Sequence, residues 1–398
     1  MTHRLAVLAA ICLPATAFAD EPVPPPAAPV TAQQALVRIV RPVEHPPPFP
    51  RFSTAPLELD VEVFAQARRI APDGDTGALE ELRLDRGEVG ARVMLGSSAA
   101  TELRVESIRS AADGGALGID GDTTVIRIKR AQLVGGHSWY RRDDGAQTLR
   151  IDGAIGFIQD PWLDALERDD TLRPLARTGS EQLLAWPVSD LAAMARVTLG
   201  PARLAIAVGN GEGLAFPERN SGKTTTAVLE VVPLHTTTAH VRVSAVARDG
   251  SIGPALVRDR RFGGAATAVL PRVRGGAEVV KAYGLATRGE LEGLLASGWI
   301  DARVAGDDRD TGLFVAARGA TLGYEGGGRI TTVGGAVAVQ TWHRRFDGRG
   351  SERDGRFRIW LALDRTTTSG NAMPVPGADA GTATTVLAIA SAVAPFIP

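Results

Sequence analysis

Between residues 57 and 398, apolar and polar side chains alternate one by one in short runs separated by glycine, proline and charged clusters. Leu149, Ile151, Gly153, Ile155 and Phe157 interleave with Arg150, Asp152 and Ala154, and Leu191, Ala193, Ala195, Val197 and Leu199 with Asp190, Arg196 and Thr198. Val241, Val243, Ala245 and Ala247 do the same with Arg242, Ser244 and Arg248. A period of two places successive side chains on opposite faces of a strand. Sixteen such segments can be marked, the first at 57–68 and the last at 383–394, with 123–134, 146–157, 188–199 and 262–271 among those between. No apolar run is long enough for a membrane helix. The pattern predicts an all-β fold: an antiparallel transmembrane β-barrel of sixteen strands, wet inside and lipid-facing outside.

The connections sharpen this. With the first strand running outward, turns after even-numbered strands should be short, and Gly96 to Ala100, Gly200-Pro201, Pro233 to Thr238 and Pro271 to Arg274 are. The intervening stretches 112–122, 158–187, 210–222, 250–261 and 366–382 are long, whereas 135–145 and 344–354 break the rule. A barrel has reason to alternate in this way, with short periplasmic turns and longer outer loops; a soluble β-sandwich has none. The longest stretch, 158–187, is then the third outer loop. Asp160 as cap and Pro161 at the first position predict a short helix carrying Trp162, Asp164, Glu167 and Arg168. Together with Arg173, these residues are expected to constrict the lumen if the loop folds inward; the alternative is a lid over the mouth.

Residues 1–19 have the form of a secretory signal: Thr2-His3-Arg4, an apolar run from Leu5 to Leu13, and Ala17-Phe18-Ala19 as the cleavage site. The only cysteine, Cys12, lies inside it, so disulfide and thiol chemistry are not expected in the exported chain. Residues 20–56 read as a proline-rich linker, leaving 57–398 for the barrel.

Forty-four basic and forty-five acidic residues leave no electrostatic footprint for nucleic acid. Their placement matters more. On the polar phase of the strands stand Arg92, Arg104, Arg127, Lys129, Arg150, Arg196, Arg203, Arg242, Arg248, Arg303, Arg318 and Arg358. Glu102, Glu106, Asp152, Asp190, Glu230 and Asp301 oppose them. An arginine or lysine facing lipid near the midplane costs about 2–4 kcal/mol, a cost that a water-filled lumen removes. The polar phase is therefore read as pore-lining, and its excess of cations as a weak preference for anions.

Other chemistry is poorly supported. Asn220-Ser221-Gly222-Lys223-Thr224 lacks the earlier glycine of a phosphate-binding loop, Pro217 standing in its place. His235 and His240 make a poor metal site, and Asp307, Asp308 and Asp310 lack the glycine and glutamate of a calcium loop. No serine lies in a nucleophile elbow. The expectation is a chain without cofactor, metal or catalytic residues.

Gly156-Phe157-Ile158-Gln159-Asp160-Pro161-Trp162, Ser189-Asp190-Leu191 and Gly209-Asn210-Gly211-Glu212-Gly213 occur in that order, followed by Asn220-Ser221-Gly222-Lys223 and Pro233-Leu234. This stretch, about 146–234, resembles the phosphate-selective-porin-like family of Gram-negative outer-membrane porins. Ser297-Gly298-Trp299 and Ile126-Arg127-Ile128-Lys129-Arg130-Ala131 echo it elsewhere. The resemblance implies a homotrimeric, sixteen-stranded porin in outer-membrane lipid, narrowed by its third loop and passing small hydrophilic solutes or anions. Two features depart from it: Phe396 is followed by Ile397-Pro398 where such barrels end on an aromatic residue, and aromatics make up only 5% of the chain. Candidates for the interfacial girdles are Trp139, Tyr140, Phe157, Trp186, Trp342, Phe357 and Trp360. A plugged barrel with a structural or binding role is the alternative.

Overall fold

The computed structural model describes residues 57–72, 79–95, 98–110, 123–141, 147–173, 175, 177–184, 186–211, 213, 222–236, 239–252, 256–285, 288–306, 311–344, 355–370 and 382–396. The expected signal and linker lie outside the described residues, as do Asp307, Asp308 and Asp310. The strands are β1 (Leu57–Pro72), β2 (Leu79–Met94), β3 (Ala99–Ser110), β4 (Thr123–Arg141), β5 (Gln147–Gln159), β6 (Ser189–Leu199), β7 (Ala202–Gly209) and β8 (Thr224–His235). They continue as β9 (His240–Ile252), β10 (Val257–Val269), β11 (Val273–Leu285), β12 (Arg288–Gly306), β13 (Gly312–Tyr324), β14 (Arg329–Arg344), β15 (Gly355–Ser369) and β16 (Thr382–Phe396). Each pairs antiparallel with its sequence neighbours, and β1 pairs with β16 from Leu59↔Phe396 to Pro72↔Ala383. The sheet is a closed barrel with no free edge, a form whose backbone groups are satisfied without water.

The side chains sort as the alternation requires. On β15, Ile359, Leu361 and Leu363 point outward, each more than half exposed, while Arg358, Trp360, Ala362 and Asp364 are buried inward. On β6, Leu191, Ala193, Ala195, Val197 and Leu199 take the outer face. The outer wall is thus a belt of valine, leucine, isoleucine and alanine, a surface suited to hydrocarbon rather than to water.

Three sequence expectations need correction. Charged Arg258-Asp259-Arg260-Arg261 reads as loop by composition, but it belongs to β10, where Arg260 pairs across the ladder with Asp249 and Arg261 with Arg248. The connections after β9, β11 and β13 span only 253–256, 286–287 and 325–328, so length alternation holds over part of the barrel rather than all of it. Nor do all the girdle candidates face lipid: Trp186 and Trp360 are buried inside.

The third loop folds into the barrel. Asp160 caps α1 (Pro161–Glu167), its side chain accepting from the Trp162 N–H at 2.8 Å, with proline in the first turn as predicted. A second short helix, α2 (Gly179–Leu183), follows. Trp162, Leu163, Leu166, Leu183, Leu184 and Trp186 pack as one cluster against Val228, Val246, Val280, Leu295, Leu322 and Ile330 of the inner wall. Farther along, Leu172 and Leu175 pack on Phe314, Ala338, Trp360, Leu387 and Ile389. Burying a leucine or phenylalanine stabilises by roughly 1.5–3 kcal/mol, so this loop is docked by an apolar core of its own.

Candidate solute pathway

One β-bulge sets the charge pattern beside the loop. In the β3–β4 ladder Arg104 lies opposite Arg130 and Val105 opposite Ile128, leaving Lys129 as the extra residue. Lys129 and Arg130, adjacent in sequence, consequently both reach inward. Lys129 donates to Glu88 at 2.8 Å, while Arg130 pairs with Glu102 at 3.4 Å and donates to Gln159. Strict alternation would have turned Arg130 outward, which is why the sequence reading missed it. Gly156 serves the same corner. Its φ is +124°, and a Cβ there would lie 2.3 Å from the Ala131 carbonyl oxygen, so only glycine lets β5 approach the bulge.

Two kinds of polar site result. The first is dry. Glu88, with no exposed side-chain surface, is ringed by Lys129 (2.8 Å), Arg104 (2.9 Å), Arg173 (3.3 Å) and Arg86 (3.7 Å). Arg86 also reaches Glu106 at 2.8 Å and Glu181 at 3.4 Å, and Arg127 reaches Glu106 at 2.8 Å. Arg173 adds Glu62 at 3.5 Å and Glu167 at 3.3 Å. With Arg177, which reaches Glu181 at 3.4 Å, these groups form a largely buried network that ties the loop to β1–β4. Single removals from such a buried set are costly, because they strand an uncompensated charge. Other pairs lie equally far from solvent. Arg248 meets Asp160 at 3.2 Å and Asp259 at 2.7 Å, Arg242 meets Asp169 at 2.8 Å, and Arg358 meets Asp301 at 2.9 Å with its guanidinium 3.9 Å from the Phe314 ring centre.

The second site is wet. Toward the short-turn ends of β2–β8, Arg92, Arg130, Arg150, Arg196 and Arg203 are partly exposed, alongside Glu102 and Asp152. The exposed face of α1 meets them. Asp164 lies 3.0 Å from Arg168, 3.8 Å from Arg203 and 3.9 Å from Arg130, and Arg168 lies 3.0 Å from Glu230. Six guanidinium groups thus face four carboxylates, Glu102, Asp152, Asp164 and Glu230. Although burial pushes the Asp164 carboxyl up, the cations of Arg168, Arg203 and Arg130 outweigh it and hold the group well below the usual carboxylate range. Glu167 likewise falls to about 2, burial being overcome by Arg173 and Lys129. Asp170 goes the other way. Burial raises it to about 7, against the opposing effects of the Leu172 N–H and Arg173.

The structure therefore divides the residues picked from sequence. Arg92, Arg150, Asp152, Arg196 and Arg203, with Asp164 and Arg168 of the loop, meet on the wet wall; Glu230 sits behind them, pairing with Arg168 and Arg203. Arg104, Arg127, Lys129, Glu167 and Arg173 belong to the buried network, and Trp162 to the apolar core of the loop. Arg242, Arg248, Arg318 and Arg358 are held against acidic partners, Arg318 against Asp364. Arg303 donates to the Pro271 carbonyl at the short-turn rim. Asp190 is not part of the charged wall: it accepts from the Gly211 N–H and fastens the outer end of β6 to the chain leaving β7. Glu62, Arg86, Glu88 and Asp259 had no distinguishing sequence signal, since only the fold brings them to the loop. Among the described residues no cluster of histidine, cysteine and carboxylates could hold a metal.

No protein-family model matches the chain, and no curated protein matches it in sequence. Its fold matches solved structures. The anion-selective porin of Comamonas acidovorans superposes with a TM-score of 0.55 at 9% identity, over 85% of this chain and 99% of that porin. OmpF of Salmonella typhi, in complex with daunomycin, gives 0.53 at 9% identity over 86% and 99%. The outer-membrane protein OmpT of Vibrio cholerae gives 0.50 at 11% identity over 87% and 100%. The chain has the fold of the porin-type outer-membrane barrels.

Proposed function

We propose that this protein is a passive outer-membrane channel for small hydrophilic solutes or ions, with a weak preference for anions and no chemical step. The observation that carries the reading is the wet wall, where six partly exposed guanidiniums line the lumen beside α1, with Glu102, Asp152 and Asp164 among them and the buried Glu230 behind. Rings of arginine lower the barrier for anions, and the porin of Comamonas acidovorans, whose fold is shared, is itself described as anion-selective. The family resemblance supports a phosphate-selective-porin-like affiliation, though not phosphate specificity. Its motifs converge at the base of the third loop, where Gly156 admits the bulge, Ser189 donates to the Lys129 carbonyl and Asp190 holds Gly211. Residues 1–19 would direct export, 20–56 would serve as a linker, and the working form would be a trimer.

Reconstitution into a planar bilayer tests the proposal. Discrete conductance steps, with a reversal potential in a salt gradient of the sign for anion selectivity, are the expected result. A folded protein that never conducts would overturn it. That outcome would favour a second reading, a plugged barrel, for which the docking of the third loop against both β1–β4 and β8–β16 speaks.

A further inference from the structure

Behind the third loop, on the side away from the wet wall, the lumen keeps a second hollow. The two are divided by α1: Asp164 and Arg168 face the charged groups of the wet wall, whereas Leu166 turns toward β10–β14. The hollow measures about 650 Å³ and opens to the lumen, a size usual for small-molecule sites. Its floor is a recess in the barrel wall. In successive ladders Gly276 lies opposite Trp299 and Trp299 opposite Arg318, and one row farther toward the loop end Ser297 lies opposite Ala320. Gly276 makes room for the Trp299 indole, since a Cβ there would stand 2.8 Å from its Nε1. The surface left open is therefore mostly apolar, set with a few polar groups.

Some of those polar groups are already engaged. Arg318 is held by Asp364, and Glu278 accepts from the Ser180 N–H at 3.0 Å, the Ser180 hydroxyl at 2.5 Å and the Ser297 hydroxyl at 2.8 Å. Two charged groups keep capacity. Asp170, 7% exposed, accepts from the Leu172 N–H at 2.7 Å through one oxygen, and its other oxygen has no hydrogen bond or ion pair among the described residues. Arg177, 44% exposed, forms one ion pair among the described residues, with Glu181 at 3.4 Å. A carboxylate at the buried end of an apolar hollow and a guanidinium at its exposed edge disfavour a ligand of either single sign, because an anion meets Asp170 and a cation meets Arg177. Resting on the channel reading above, and naming a solute class for it, we infer that the hollow binds a small zwitterion with an apolar body, as an α-amino acid with an aromatic side chain is. Asp170 accepts from its ammonium, Arg177 donates to its carboxylate, and its ring lies between Leu166 and Trp299.

Titration calorimetry of the full-length protein in detergent tests the inference, using phenylalanine, phenethylamine and hydrocinnamate as probes. All three carry the same ring; the second lacks the carboxylate and the third the ammonium. Phenylalanine should bind about tenfold more tightly than either, the loss expected when one charge-assisted hydrogen bond is removed. Arg177→Gln should erase the preference over phenethylamine, and Asp170→Asn the preference over hydrocinnamate, each leaving the other preference in place. Absence of phenylalanine binding, equal or tighter binding of either single-charged probe, or preferences that survive both substitutions overturns the inference. If a variant does not fold, as judged by loss of the heat-dependent shift in gel mobility, the three-probe comparison on the unaltered protein decides alone. A protein that conducts in a bilayer but does not bind phenylalanine refutes this inference and spares the channel; one that binds it but never conducts does the reverse.

Discussion

Arg196 and Arg203 illustrate what a single position can do here. Each is partly exposed on the wet wall, and each faces a carboxylate, Asp152 at 3.1 Å or Glu230 at 3.5 Å. Their joint replacement by glutamate turns six cations and four anions into four and six. The reversal potential in a salt gradient is expected to change sign, and an unchanged sign would remove this wall from the ion path. Asp170 makes a prediction about pH. Its carboxyl, buried in the loop, is raised to about 7, whereas an unfolded aspartate titrates near 3.9. Because the folded state holds the proton more tightly, the loop gains stability as pH falls from about 7 toward 4 and loses it as pH rises through that window. Arg173, Glu167 and Arg318 face Asp170, and Glu167 remains ionised there. Current fluctuations should thus be quieter at pH 5 than at pH 8, and Asp170→Asn should flatten the difference. An unaltered pH dependence in that variant would assign the effect to another group.

The third loop and the bulged corner of β4 and β5 are the elements on which the lumen depends. Trp162 is completely buried, stacks near Trp186 with ring centres 6.2 Å apart, and donates its indole N–H to Ser180 at 3.1 Å. Trp162→Ala should cost about 3–5 kcal/mol, in keeping with large-to-small changes in a packed core. The cost falls on loop docking, and is expected to appear as noisier single-channel currents and faster proteolysis within 163–185 while the barrel stays folded. Gly156→Ala acts on the wall itself. With φ at +124° and a carbonyl 2.3 Å from the added methyl, β5 can no longer approach the bulge. Barrel assembly should suffer, visible as a lower temperature for the mobility shift on gels; an unshifted transition would mean that the corner relaxes freely.

At the scale of the molecule, the barrel supplies a rigid closed wall and the loop decides how much of its interior stays open. Loop contacts run from Glu62 on β1 through Glu88 on β2 and Glu230 on β8 to Leu387 on β16, so the loop crosses the lumen instead of hugging one side. Deleting 163–185 should raise conductance several-fold if solutes pass beside α1. In a plugged barrel the same deletion should create conductance where there was none. Single-channel recording on the unaltered and shortened proteins separates the two cases.

Strand number, order and the face that most residues take were legible in the chain, because a wall between water and hydrocarbon demands alternation and the strands obey it outside their bulges. The helix cap at Asp160-Pro161 was legible for the same reason, being settled within four residues. What the chain could not disclose depends on distant partners. The inward turn of Arg130 follows from a bulge in the pairing of β3 with β4, and the inclusion of Arg258 to Arg261 in β10 from carboxylates on another strand. Whether a cation such as Lys129 meets solute or disappears beneath the loop depends on where residues 160–188 come to rest. Alternation tells a side chain which surface it belongs to; only the closed barrel, with its loop docked inside, determines what that surface touches.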